Sequence, residues 1–85
     1  MDIEALDGIP GKNLKSIKAE VSKIITSIQD RRKELGFTQE SFAEYLDVSV
    51  TTVKFIEQGR RLPSLPMLIR VATALKLSVR LVPRT

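Results

Sequence analysis

The stretch Thr38–Gly59, TQESFAEYLDVSVTTVKFIEQG, decides how this chain is read. Phe42, Ala43 and Leu46 recur at the spacing of one helical face, and Glu40 and Glu44 fall on the outer side. Thr38 is placed to cap that helix. Asp47-Val48-Ser49 breaks the period, and a second short helix runs from about Val50 to Gln58 and stops at Gly59. Two short amphipathic helices therefore meet across a tight turn. Ala43 falls where they cross most closely and a small side chain is needed. Val48, Val53 and Ile56 fill the wedge beneath.

Upstream, Leu14, Ile17, Val21, Ile24, Ile25, Ile28 and Leu35 recur in steps of three and four, the stripe of one helix reaching about Leu35. Asn13 is a suitable N-cap, and Gly36 can end the helix in a left-handed conformation. Residues 1–12 carry Gly8, Pro10 and Gly11 without a helical period, which predicts a flexible N-terminal arm. Downstream, Arg60 to Pro63 reads as a loop. Ser64 caps a fourth helix, which tolerates Pro66 in its first turn. Leu68, Ile69, Val71, Ala72 and Leu75 form its expected inward stripe.

Leu77 to Val82 alternates apolar and polar residues for most of its length, at strand spacing. A lone strand cannot satisfy its backbone, and no other segment is an obvious partner. Pairing with the same strand of a second subunit gives a two-fold dimer; a frayed tail is the alternative. The expected organisation is an arm over 1–12, a helical domain over 13–77 with an extended first helix, and a dimerising strand over 78–83. The fold class is all-α, four helices followed by a short β-strand paired across a dimer.

Composition narrows the function. The chain has 85 residues, room for one small domain whose core is marginal without a partner. It has neither Cys nor His, so disulfides, zinc sites and most nucleophile–base pairs lose their usual residues. No metal, no cofactor and no enzymatic activity are expected. No apolar run reaches membrane-spanning length and the first residues do not read as a secretory signal, which suggests a cytoplasmic protein with no membrane partner. The net charge of +4 and isoelectric point near 9.8 suit a polyanion.

From about Ile28 to Leu77 the chain resembles the Cro/C1-type (Xre) helix-turn-helix family. The resemblance rests on Leu35-Gly36-Phe37-Thr38-Gln39-Glu40, Phe42-Ala43, the Val48-Ser49 turn, Ile56-Glu57-Gln58-Gly59-Arg60-Arg61 and Pro63-Ser64-Leu65. It implies a lambda repressor-like domain whose third helix enters the DNA major groove. Asp47 departs from the family's usual Gly, and Asp tolerates positive φ better than most residues.

The resemblance also assigns residues. Gln39 and the amides around it would hold a phosphate, as a helix N-terminus favours an anion; its alternative role is capping. Val50, Thr51, Thr52 and Phe55 would face base edges. They include no Arg, Asn or Gln for bidentate readout, so methyl-rich, A·T-containing half-sites read partly by shape are expected. Phe55 could instead fold inward, and this apolar face could instead bind protein. Lys54, Gln58, Arg60 and Arg61 would straddle the sugar-phosphate backbone, or form a merely solvated basic loop. Arg32 and Glu57 would pair, with Arg31 as the competing cation.

The implied function is a DNA-binding repressor acting as a homodimer on a palindromic operator. A looser likeness, in Ala74-Leu75-Lys76-Leu77-Ser78-Val79, is to HipB-type antitoxins, which repress their own operon and bind a toxin encoded beside them. Leu14, Ile17 and Val21, with Val79 and Leu81, would then form the dimer or partner surface; the first three could also fold back on the domain's own core. A regulator without a toxin, or an interaction module on the same scaffold, are the alternative functions.

Overall fold

The computed structural model describes residues 14–83. The expected arm over 1–12 and the cap at Asn13 lie outside the described residues. Four helices follow in order: α1 (Leu14–Glu34), α2 (Gln39–Leu46), α3 (Val50–Glu57) and α4 (Leu65–Ala74). The last three begin on a hydroxyl cap. Ser49 accepts from the Thr52 amide and Ser64 from the Met67 amide. Thr38 and Ser41 form a reciprocal pair, each side chain accepting the other's backbone N–H at 2.9 Å.

All four helices end the same way. A residue at the cap (Asp47) or just after it (Gly36, Gly59, Lys76) turns left-handed, and the following amide reaches back five residues: Phe37 to the Arg32 carbonyl, Val48 to Ala43, Arg60 to Phe55 and Leu77 to Ala72. The left-handed positions are Gly36 (φ +82°), Asp47 (φ +58°), Gly59 (φ +72°) and Lys76 (φ +59°). Gly, and to a lesser degree Asp, suits that conformation; Lys76 occupies it against its own preference.

The core is built where α1, α2, α3 and α4 meet. Ile28, Phe42, Ala43, Leu46, Val53, Val71 and Leu75 form its buried cluster, and Phe37, Val48 and Leu68 pack on its edge. Burying a large apolar side chain of this kind contributes about 1.5–3 kcal/mol. Ile56 and Ala72 are also buried. Ile69 does not join the inward stripe of α4: it is 47% exposed, because Leu68, Val71, Ala72 and Leu75 already span the core-facing arc and Ile69 lies a hundred degrees from Leu68.

Ile28 is the first fully buried residue of α1. Leu14, Ile17 and Val21, up to four turns earlier, are half-buried. Val21, Ile24 and Ile25 face Leu62, Pro63 and Leu68 across an open apolar groove, so Val21 leans toward the domain's own surface.

The expected strand is absent from the described chain. Residues 77–83 have no regular secondary structure, and beyond Leu77 the side chains are exposed, Leu81 at 97%. The alternating pattern is present, but the described residues supply no second strand to complete a ladder. No helix among the described residues is long and apolar enough to cross a membrane.

Candidate nucleic-acid interface

The turn between α2 and α3 aims α3 outward, and a buried ion pair fixes that aim. Arg32 on α1 grips the Glu57 carboxylate at the end of α3 with two donors, Nε to Oε2 at 2.6 Å and Nη2 to Oε1 at 3.0 Å. Both side chains are shielded, 8% and 3% exposed. The remaining Arg32 nitrogen, Nη1, donates to the Phe37 carbonyl at 2.8 Å. Gln29 Nε2 donates to the Glu57 carbonyl at 2.8 Å. Gln39 Nε2, from the first turn of α2, donates to Glu57 Oε1 at 3.1 Å. No buried side-chain polar atom among the described residues lacks a partner. Such a network orients helices more than it adds net stability, since desolvating the charges offsets much of their attraction.

Arg31 does not compete for Glu57. Its Nε donates to the Leu75 carbonyl at 3.0 Å and its Nη1 pairs with Glu34. It thereby ties α1 to the C-terminus of α4. Arg70 ties α4 to the end of α2 through the Leu46 carbonyl. Neither bond was visible in the sequence, because a carbonyl acceptor leaves no residue-type signature.

Several other assigned residues take more specific places. Gln39 is not the capping residue; Thr38 and Ser41 cap α2, and the Gln39 amide group is held by Glu57. Val50 turns partly inward and packs against the core cluster, so it belongs only in part to the outer face of α3. Thr52 is half-buried, with its hydroxyl 2.9 Å from that of Ser49. Thr51 is exposed, and Thr51, Phe55 and Gln58 follow one another at steps of four and three along the outer side. Phe55 is half-buried rather than swallowed by the core, and the Arg60 guanidinium lies over its ring at 4.8 Å. Lys54 is half-buried; Gln58, Arg60 and Arg61 are exposed.

The result is a convex helix face with hydroxyl, aromatic and amide groups, edged by Lys54, Arg60 and Arg61. The nearby carboxylate of Glu57 is buried and already engaged by Arg32. The cationic edge therefore meets solvent without a neutralising acid from α3, which is the electrostatics of a polyanion-facing surface.

Comparison with known proteins agrees with this geometry. A family model described as helix-turn-helix matches residues 28–82. An uncharacterized HTH-type transcriptional regulator of Methanothermobacter thermautotrophicus is 48% identical over 50 residues, covering 59% of this chain and 72% of that protein. The cryptic phage CTXphi transcriptional repressor RstR of Vibrio cholerae is 33% identical over 57 residues, 67% of this chain and 51% of that one. The uncharacterized HTH-type transcriptional regulator YazB of Bacillus subtilis is 45% identical over 47 residues, 55% and 68% respectively. No solved structure gives a significant match. With its capped helix pair, its left-handed turn at Asp47 and a family match over most of its length, the chain belongs to the Cro/C1-type helix-turn-helix family.

Proposed function

We propose that this chain is a transcriptional repressor that binds double-stranded DNA through α3, as a homodimer on a palindromic operator, in the cytoplasm. The observation that carries the reading is the outward face of α3 with its unneutralised edge of Lys54, Arg60 and Arg61. Thr51 and Phe55 meet base edges, with methyl-rich A·T half-sites preferred. Lys54, Gln58, Arg60 and Arg61 contact the backbone, and Gln39, steadied by Glu57, lies near a phosphate at the start of α2. In the dimer, two copies of α3 sit about 34 Å apart, one turn of DNA. Val79 and Leu81 pair across the two-fold axis, which supplies the ladder that is missing among the described residues of one chain. The transcriptional repressor name borne by the Vibrio cholerae relative supports repression as the outcome.

Within that reading, the chain is the antitoxin of a toxin–antitoxin operon. The support is surface the DNA-binding role leaves idle: the half-buried Leu14 and Ile17, and the groove bordered by Val21, Ile24, Leu62 and Leu68. A toxin encoded by the adjacent gene is the partner for it. Co-expression with that neighbour and capture on a tag tests the assignment. A stable complex supports the antitoxin role. Failure to co-purify, with salt-dependent binding to its own promoter intact, leaves a free-standing regulator. Absence of DNA binding favours an interaction module instead.

A further inference from the structure

We infer that Phe55 and Arg60 act as one unit, in which the Phe55 ring fixes the plane of the Arg60 guanidinium so that it meets a pair of acceptors on DNA. The inference rests on the reading of α3 as the DNA-facing helix. It begins with what the described arginines spend their donors on. Arg32 is consumed by Glu57 and Phe37, Arg31 by Leu75 and Glu34, and Arg70 by Leu46. Arg60 has no carboxylate or carbonyl partner for its side chain among the described residues, yet it is not loose.

Two contacts and one backbone turn hold it. Its backbone amide donates to the Phe55 carbonyl at 2.8 Å. Gly59, at φ +72°, makes the left-handed step that folds the chain back over the helix end. The guanidinium carbon then lies 4.8 Å from the Phe55 ring centre. A guanidinium lying parallel to the ring beneath it would have one face covered and its N–H groups directed outward in its own plane. Arg60 is thus oriented but chemically unspent. Arg61 contrasts with it: its amide also reaches the Phe55 carbonyl, at 3.2 Å, but no ring lies beneath its side chain among the described residues.

A fork of N–H donors held in one plane matches two acceptors side by side. DNA offers these as two oxygens of one phosphate or as O6 and N7 of guanine. Either would give the interface the bidentate contact that Thr51, Thr52 and Phe55 cannot make themselves. Fixing the plane beforehand lowers the ordering cost of the contact, so Phe55 is a positioning residue for Arg60.

Arg60→Lys tests this, because Lys keeps the charge and loses the plane. The assay is fluorescence anisotropy of the full chain on its promoter duplex and on a panel of base-substituted duplexes, over a range of salt. Arg60→Lys is expected to weaken binding about tenfold with its salt slope retained, and Arg61→Lys to lose less. Phe55→Leu should weaken binding similarly, and the double variant should be little worse than either single one. A uniform loss across the panel identifies a phosphate; a loss confined to duplexes with one guanine identifies a base. NMR of the free protein gives an independent readout: ring current should shift the Arg60 side-chain protons upfield, and Phe55→Leu should abolish that shift. Equal losses for Arg60→Lys and Arg61→Lys, or additive effects of Phe55→Leu and Arg60→Lys, overturn the inference while leaving DNA binding standing. A wild-type chain that binds no DNA overturns the reading of α3 and the inference with it.

Discussion

Arg32 and Glu57 meet through two short hydrogen bonds, 2.6 and 3.0 Å, across the space between the last turn of α1 and the last turn of α3. Glu57 also receives Gln39 from the start of α2 and, on its carbonyl, Gln29 from α1. One carboxylate therefore fixes the angle between the helix that would lie along a DNA backbone and the helix that would enter the groove. Its part in the molecule is orientation.

Removing one member of this pair leaves the other buried and unpaired. Arg32→Met is expected to cost about 3 kcal/mol of stability, a large part of what a domain of this size has. Arg32→Met combined with Glu57→Leu should recover much of that loss, because no charge is then stranded. Urea unfolding at fixed protein concentration measures both. A double variant whose loss equals the sum of the singles would show that the pair is not a coupled unit.

Gln39→Ala removes the tie between α2 and α3 but leaves Arg32 on Glu57. The expected loss is about 1 kcal/mol in thermal or urea unfolding. No change in stability would mean that the Gln39–Glu57 bond adds nothing to the net stability of the domain.

Lys76 holds a left-handed conformation that a side chain disfavours, at the end of α4. Lys76→Gly is expected to raise stability by about 1 kcal/mol and the melting temperature by roughly 4 °C. Asp47→Gly should gain less, since Asp accepts that conformation more readily. A fall in melting temperature for Lys76→Gly would show that the flexibility Gly adds to the unfolded chain outweighs the strain it relieves.

Much of this fold could be read from residue types because its local signals agree with one another. Thr38 and Ser64 are cap residues standing before apolar periodicity, and Gly36 and Gly59 stand where helices must end; the structure uses all four in those roles. Other features are set by tertiary context that residue type does not encode. Nothing about Lys76 announces a left-handed turn, which is imposed by the packing of Leu75 and the return of Leu77 to Ala72. Ile69 is as apolar as its neighbours and differs from them only in the angle at which α4 meets the core. At the site, residue pattern located the α3 face and the basic loop. It did not reveal the link from Gln39 to Glu57, the inward turn of Val50 or the placement of the Arg60 guanidinium over the Phe55 ring, all of which depend on side-chain direction.

The tail offers a test of assembly. Val79 is half-exposed and Leu81 almost wholly so, an arrangement suited to pairing with a second copy. Light scattering should give a mass twice the chain's 9.5 kDa, and Val79→Asp with Leu81→Asp should return it to that of one chain. Equal masses for the two proteins would remove the tail from the dimer surface.

In the proposed function the basic edge beside α3 meets a polyanion. The most direct measurement is the affinity of the chain for a duplex from its own promoter region, taken across a series of salt concentrations. Log affinity is expected to fall steeply and linearly with log salt, with a slope shallower by about two for Arg60→Ala with Arg61→Ala. Binding that is absent, or indifferent to salt and to both arginines, would contradict it.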